Sequence, residues 1–246
     1  MRIVVAALCF SAVLCTVYAP VPPKDDLDDV KLEILTAKQS VERTIQQIKR
    51  VFTDTKEDTM LTIMKRWWEQ MDTYRNYINL MIESMRREVH NAKLYKGVDA
   101  QYCFDTNSGA INEHTDVAYK TAVTCQEKGG KSIESSLSFL DSLVSLGEGL
   151  IKELDHIFLN CHDDDPVKNK SCILDEFTRI NTAVKEFEED ANKIEYSALP
   201  ASNYVVLQAT QCLTNAYLLA RFESQGAMAS HSRCVRDAID RSSSGV

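Results

Sequence analysis

The sequence predicts an all-α fold: a disulfide-stapled antiparallel helical bundle with long amphipathic N-terminal helices. Three observations lead there. Residues 24–96 contain neither proline nor glycine, an interval that strand-and-turn architectures rarely leave unpunctuated. Apolar residues recur at alternating spacings of three and four, the period of one helix face. Six cysteines remain once an N-terminal leader is set aside, an even number that reads as a disulfide framework in an oxidising compartment.

The leader comes first. Arg2 precedes an apolar run from Ile3 to Val17, interrupted by Ser11 and Thr16, of secretory rather than membrane-spanning length. Residues 1–19 are therefore expected to be a signal peptide. Val17 and Ala19 satisfy the small-residue rule for cleavage after Ala19, whereas Pro20 would hinder the peptidase and leaves cleavage after Cys15 as the alternative. No later segment offers 18 consecutive apolar residues, and the tail "DRSSSGV" lacks the hydrophobic stretch of a lipid-anchor signal. The expected product is secreted and extracellular, with no membrane span. Its formal charge moves from −8 to −9, since Arg2 is the one charged residue lost, which disfavours nucleic acid or an anionic membrane as partner.

Three stretches follow: a long amphipathic helical segment over 20–95, a cysteine-bearing helical bundle over 96–241, and a flexible tail over 242–246. In the first, one stripe runs through Leu27, Val30, Ile34, Ala37, Val41, Ile45, Ile48 and Phe52, and a second through Met60, Met64, Trp67, Met71, Tyr74, Ile78, Met81 and Met85. Between them "TDTKED" places Asp54 three residues before Glu57, a weak capping box that predicts a break or kink. Its helix formers would equally continue one rod.

Gly97 and Gly109 punctuate the next region, so a shorter helix is expected from about Asn112 to Cys125, stopped by "KGG" at 128–130. A stripe from Ile133 to Phe158 and a matching one from Ile173 to Ile194 predict two helices of similar length, which pack antiparallel across a short connection. That connection is "CHDDDPVKNKSC". Cys161 ends one helix and Cys172 begins its partner, so a disulfide between them is the favoured pairing. Zinc would need Cys161, His162, Cys172 and a fourth ligand in an unfamiliar spacing. Calcium fails too, since counting from Asp163 or Asp164 gives no glycine at position six and no glutamate at twelve. The aspartates read as solvated turn charges. Asn169-Lys170-Ser171 is an N-glycosylation sequon on an exposed loop, where glycan addition is expected and the adjacent disulfide competes with it.

In the last third a helix opened by Pro200 is expected to run to about Phe222. Tyr204, Val205, Leu207, Leu213, Leu218 and Leu219 spread apolar surface around it, which predicts a central position. A turn at Gly226 and a final helix through Cys234 and Ile239 complete the chain. Cys103 to Cys125 and Cys212 to Cys234 are both 22 residues, so two antiparallel segments would meet at two levels. The nested pairs Cys103–Cys234 and Cys125–Cys212 are favoured over the two other arrangements, which stay open.

The signal peptide, the proline-free first part, the cysteine-bearing second half and the texture of "AYKTAVTC" and "ATQCLTNAYLLA" together resemble the insect secreted TsetseEP domain-containing proteins, over roughly residues 95–240. The Glu-Pro repeat tail of that family's namesake is absent. The resemblance implies an extracellular helical domain and brings no catalytic motif. Independently, there is no Gly-rich phosphate loop or Gly-x-Ser-x-Gly turn, and His90, His114, His156, His162 and His231 lack paired-ligand spacing. No cofactor and no catalysis are expected. The leading expectation is a non-enzymatic interaction protein that uses the stripe of Met60, Met64, Trp67, Met71, Met81 and Met85, either for an extracellular protein partner or for self-association. The alternative for those methionines is plain core. A second function class is a carrier of a small apolar ligand or lipid. Its best-known six-cysteine form, the odorant-binding family, is set aside by spacing: 35 residues lie between Cys125 and Cys161, and 21 between Cys212 and Cys234.

Overall fold

The computed structural model describes residues 26–244; the expected signal peptide, its cleavage sites and the last two residues of the tail lie outside the described residues. Among the described residues there are five helices and no strand: α1 Asp26–Lys96, α2 Gln101–Ser136, α3 Phe139–Asn160, α4 Pro166–Ala191 and α5 Ile194–Ser244. They form three rods. α1 alone is the first; α2 and α3, end to end, run antiparallel to it; α4 and α5, end to end, return parallel to it. Ion pairs mark the first register, with Lys38, Lys49 and Lys56 ascending α1 as Asp155, Glu148 and Glu134 descend the second rod. Side-chain bonds from Thr59 to Ser202 and from Tyr74 to Ser224 mark the second. At 1.5 Å per residue the bundle is on the order of 100 Å long.

Two stripes predicted in α1 become one helix. "TDTKED" does not break it, because no residue there is excluded from a helix and Thr53 and Thr59 return their hydroxyls to the carbonyls of Lys49 and Thr55. Gly97 does end α1. It adopts φ +68° and donates its N–H to Lys93 O at 3.1 Å, the left-handed cap that only glycine takes without strain.

The other glycines do not stop helices. α2 starts at Gln101, not Asn112, and runs through Gly109 and through Gly129–Gly130 to Ser136. A Cβ at Gly129 would lie 2.8 Å from Ile63 Cδ1, and one at Gly147 in α3 would lie 2.8 Å from both Ile45 Cγ1 and Phe187 Cζ. These glycines let neighbouring rods approach. The α2–α3 junction at Leu137–Ser138 keeps near-helical dihedrals, so the rod bends without reversing.

The true reversal is at 161–165. Asp165 caps α4 by accepting from Val167 N at 3.0 Å with Pro166 at the first helical position, and Asp163 accepts from Asp165 N. Two of the three aspartates thus build the turn.

α5 differs most from expectation. It begins at Ile194, upstream of Pro200, and continues through Gly226 to Ser244, taking in residues 242–244 of the expected tail. A proline inside a helix removes one hydrogen bond and costs about 3 kcal/mol; burial of Ile194 and Ala198 on the inner face offsets it. α5 is also not central. Tyr204, Leu207, Leu218 and Leu219 are exposed, while Val205, Ala209, Leu213, Ala216 and Ala220 face the other rods. A three-rod bundle leaves each helix an outer face, and here that face mixes large apolar side chains with uncharged Asn203, Gln208, Gln211 and Asn215. The division at residue 95 disappears as well, since α1 packs along its length against the second and third rods in one continuous core, with a small second cluster around Val89, Cys103 and Val235.

Candidate functional site

The six cysteines form three disulfides. Cys161–Cys172 closes the α3–α4 turn with Cα atoms 5.5 Å apart. Cys103–Cys234 and Cys125–Cys212, at 5.7 and 5.8 Å, join α2 to α5 at two levels. Asn169 sits in the first turn of α4, half-buried, with its N–H on Asp165 O. The exposed loop expected for this sequon is therefore already helix, because Asp165 and Pro166 start α4 four residues earlier.

The methionine stripe is core. Met81 and Met85 are buried, Met60, Met71 and Trp67 pack against the buried cluster, and Met64 is half-buried. The seam at its lower end runs one position earlier than predicted, through Thr59 and Ile63. The stripe is not free to meet a partner. Its apolar period is spent on the second and third rods.

An aromatic and hydroxyl chain, buried at Tyr74 and Tyr217 and open to solvent at Tyr119, links all three rods. Trp67 Nε1–H donates to Tyr217 Oη at 2.9 Å, and the Trp67 ring stands 5.6 Å from Tyr119. The Tyr74 ring lies tilted against Tyr217, with centroids 5.4 Å apart, and its hydroxyl contacts those of Thr115 and Ser224. Burial pushes the Tyr217 phenol above its ordinary value, against the opposing effect of the Trp67 hydrogen bond. Higher up, His231 is fully buried, with Nε2 3.2 Å from Met85 O and 3.6 Å from Glu88 Oε2. Its Nδ1 has no partner.

Among the described residues no group of three metal-ligating side chains comes together, and no helix is long and apolar enough to cross a membrane. Open grooves run between the rods, such as the one of about 510 Å³ between α1 and α4 lined by Leu32, Ala37, Phe177 and Val184.

The surface that sequence reasoning misplaced is the outer face of α5. Tyr196 is 83 % exposed, Leu207 65 % and Phe222 73 %, with Tyr204, Leu218 and Leu219 beside them. From Tyr196 to Ala220 no residue is charged. The signal in the sequence is apolar residues on all sides of one helix, which fits two opposite seams as well as a central position. No family model, no curated protein and no solved structure matches the chain.

Proposed function

We propose that the chain is a secreted, non-enzymatic interaction protein of the extracellular space, a disulfide-locked rod that acts through its surface. One observation carries this: α5 turns outward a stretch without charge that exposes Tyr196, Tyr204, Leu207, Leu218, Leu219 and Phe222. Contiguous exposed apolar patches of this kind mark interaction sites. The three disulfides and the apolar leader fit export, and the resemblance to TsetseEP domain-containing proteins belongs to the same reading. A carrier would need an enclosed apolar cavity; the close contacts at Gly129 and Gly147 and the open grooves favour surface binding.

The test is chemical cross-linking of the secreted protein in its source fluid, with Leu218→Glu and Phe222→Glu variants alongside. Cross-linked species that disappear in both variants support the reading. Retention of the same species by both variants overturns it, as does lipid that co-purifies in stoichiometric amount.

A further inference from the structure

The outer face of the third rod has a charge order along its length. On the inner side of α4 and α5, Val184, Phe187, Ala191, Ile194 and Ala198 keep the three-and-four spacing, so the seam crosses the α4–α5 junction without a phase break. The outer side is therefore also one continuous line. It carries Glu186 and Glu189 near one end, with Lys193 beside them; has no charged residue from Tyr196 to Ala220, where exposed Tyr196, Tyr204, Leu207 and Leu218 alternate with Asn203, Gln211 and Asn215; and carries Arg233 and Arg236 near the other end, with Asp240 beyond them. The Arg221 guanidinium is held aside over the Tyr77 ring, 4.7 Å from its centroid.

An acid–uncharged–base line is complementary to itself only when reversed. We propose that this face is a self-association surface on which a second copy of the chain docks antiparallel, about a twofold axis at Gln211. The proposal rests on the reading of the chain as an interaction protein and names its partner.

The register is fixed by residue positions. Reversal about residue 211 sets Glu186 opposite Arg236, Glu189 opposite Arg233, Tyr204 opposite Leu218 and Pro200 opposite Phe222, while Gln211 meets its own copy. Glutamine suits that axis because its amide both donates and accepts. Lys193 and Asp240, also on the line, fall opposite the uncharged Ala229 and Thr182 of the second copy, one turn away from Arg233 and Glu186. A parallel arrangement would instead set acid on acid and base on base. Elsewhere a chain with formal charge −8 repels its copy; here the repulsion is absent at the centre and reversed at the ends. Large apolar side chains on this face would bury on the order of 600 Å² per copy, about 1,200 Å² in total, the lower end of specific interfaces.

Sedimentation velocity on the disulfide-intact secreted protein tests this, from about 0.1 to 100 µM, at low and high salt. The expected result is a monomer–dimer equilibrium that weakens with salt. Gln211→Glu, which brings like charges together at the axis, should weaken it by about tenfold or more. Arg233→Glu with Arg236→Glu should also weaken it, and adding Glu186→Arg with Glu189→Arg should restore it, with helical circular dichroism unchanged throughout. A chain that stays monomeric overturns the proposal, including one that instead floats with phosphatidylcholine vesicles or binds a different protein. In the last case the interaction reading stands and only the partner is wrong. A dimer that ignores both Gln211→Glu and the charge exchange also overturns it.

Discussion

His114 Nδ1 lies 3.1 Å from Glu223 Oε2, midway between two disulfides. Eleven residues separate His114 from Cys103 and from Cys125, and eleven separate Glu223 from Cys212 and from Cys234. Three turns of α-helix take about 11 residues, so the three rungs fall on one line along α2 and one along α5. The two helices are thereby held in a single antiparallel register over about 33 Å.

The rungs should differ in weight. With Cys125–Cys212 intact, opening the outer disulfide frees a loop of about 45 residues, and closing such a loop contributes about 4 kcal/mol in the chain-entropy account. Cys103→Ala with Cys234→Ala should lower the unfolding free energy by about that amount in guanidinium. His114→Ala should cost under about 1 kcal/mol, because both partners of this pair remain about one-third exposed. Equal losses from the two changes would show that the pair, not the disulfide, sets the register.

Glycines give a second, sharper contrast. Gly109 and Gly226 are helical and have nothing within 4 Å of an added Cβ, so alanine there should stabilise by up to about 1 kcal/mol. At Gly147 an added methyl meets Ile45 Cγ1 and Phe187 Cζ at 2.8 Å, and Gly147→Ala should destabilise by about 1–3 kcal/mol despite its better helix propensity. Gly129→Ala should be milder than Gly147→Ala, since the closest atom is the mobile end of Ile63. Thermal unfolding of the four variants would rank them.

The same residues show how far the sequence was legible. The inner stripes could be read because burial in a rod obeys the three-and-four period over many turns, as from Val30 to Ile48. The nested disulfides were legible because two equal spacings of 22 residues fit one antiparallel register. Gly129, Gly226 and Pro200 misled, since a local preference of about 1–3 kcal/mol is overridden when a helix packs along its whole length. "TDTKED" misled for the opposite reason: a cap signal has no force where no residue opposes the helix. The outer seam of α5 was unreadable as a site because composition cannot say which of two apolar faces is buried.

Alkaline pH should weaken the fold through Tyr217. Burial raises its folded-state value above the ordinary 10.0. Below that ordinary value neither state releases the proton and the contribution is complete. As pH climbs past about 10, the unfolded chain ionises first, so stability falls until the folded-state value is passed. Denaturation midpoints measured from pH 8 to 11 should decline over that window, and Tyr217→Phe should flatten the decline. At neutral pH the same variant should cost about 1 kcal/mol, for the lost acceptor of the Trp67 N–H. An unchanged alkaline slope in Tyr217→Phe would assign the loss to another group.

Asn169 is reached late or not at all. Its side chain is half-buried in the first turn of α4, and Cys172, three residues on, is tied to Cys161 at a Cα distance of 5.5 Å. A transferase must read the sequon while the chain is still open, so closure of this short loop of the turn competes with modification. Glycan occupancy in secreted protein should therefore be partial, visible as a doublet that collapses on enzymatic deglycosylation. Cys161→Ser with Cys172→Ser leaves Asn169, Lys170 and Ser171 in place and removes the competitor. Occupancy should then rise toward completion, while the closure of this eleven-residue separation is lost at about 3 kcal/mol of stability. If occupancy stays the same in the double variant, helix formation at Asp165–Pro166, and not the disulfide, governs access; replacing Pro166 by glycine would then be the change that raises it.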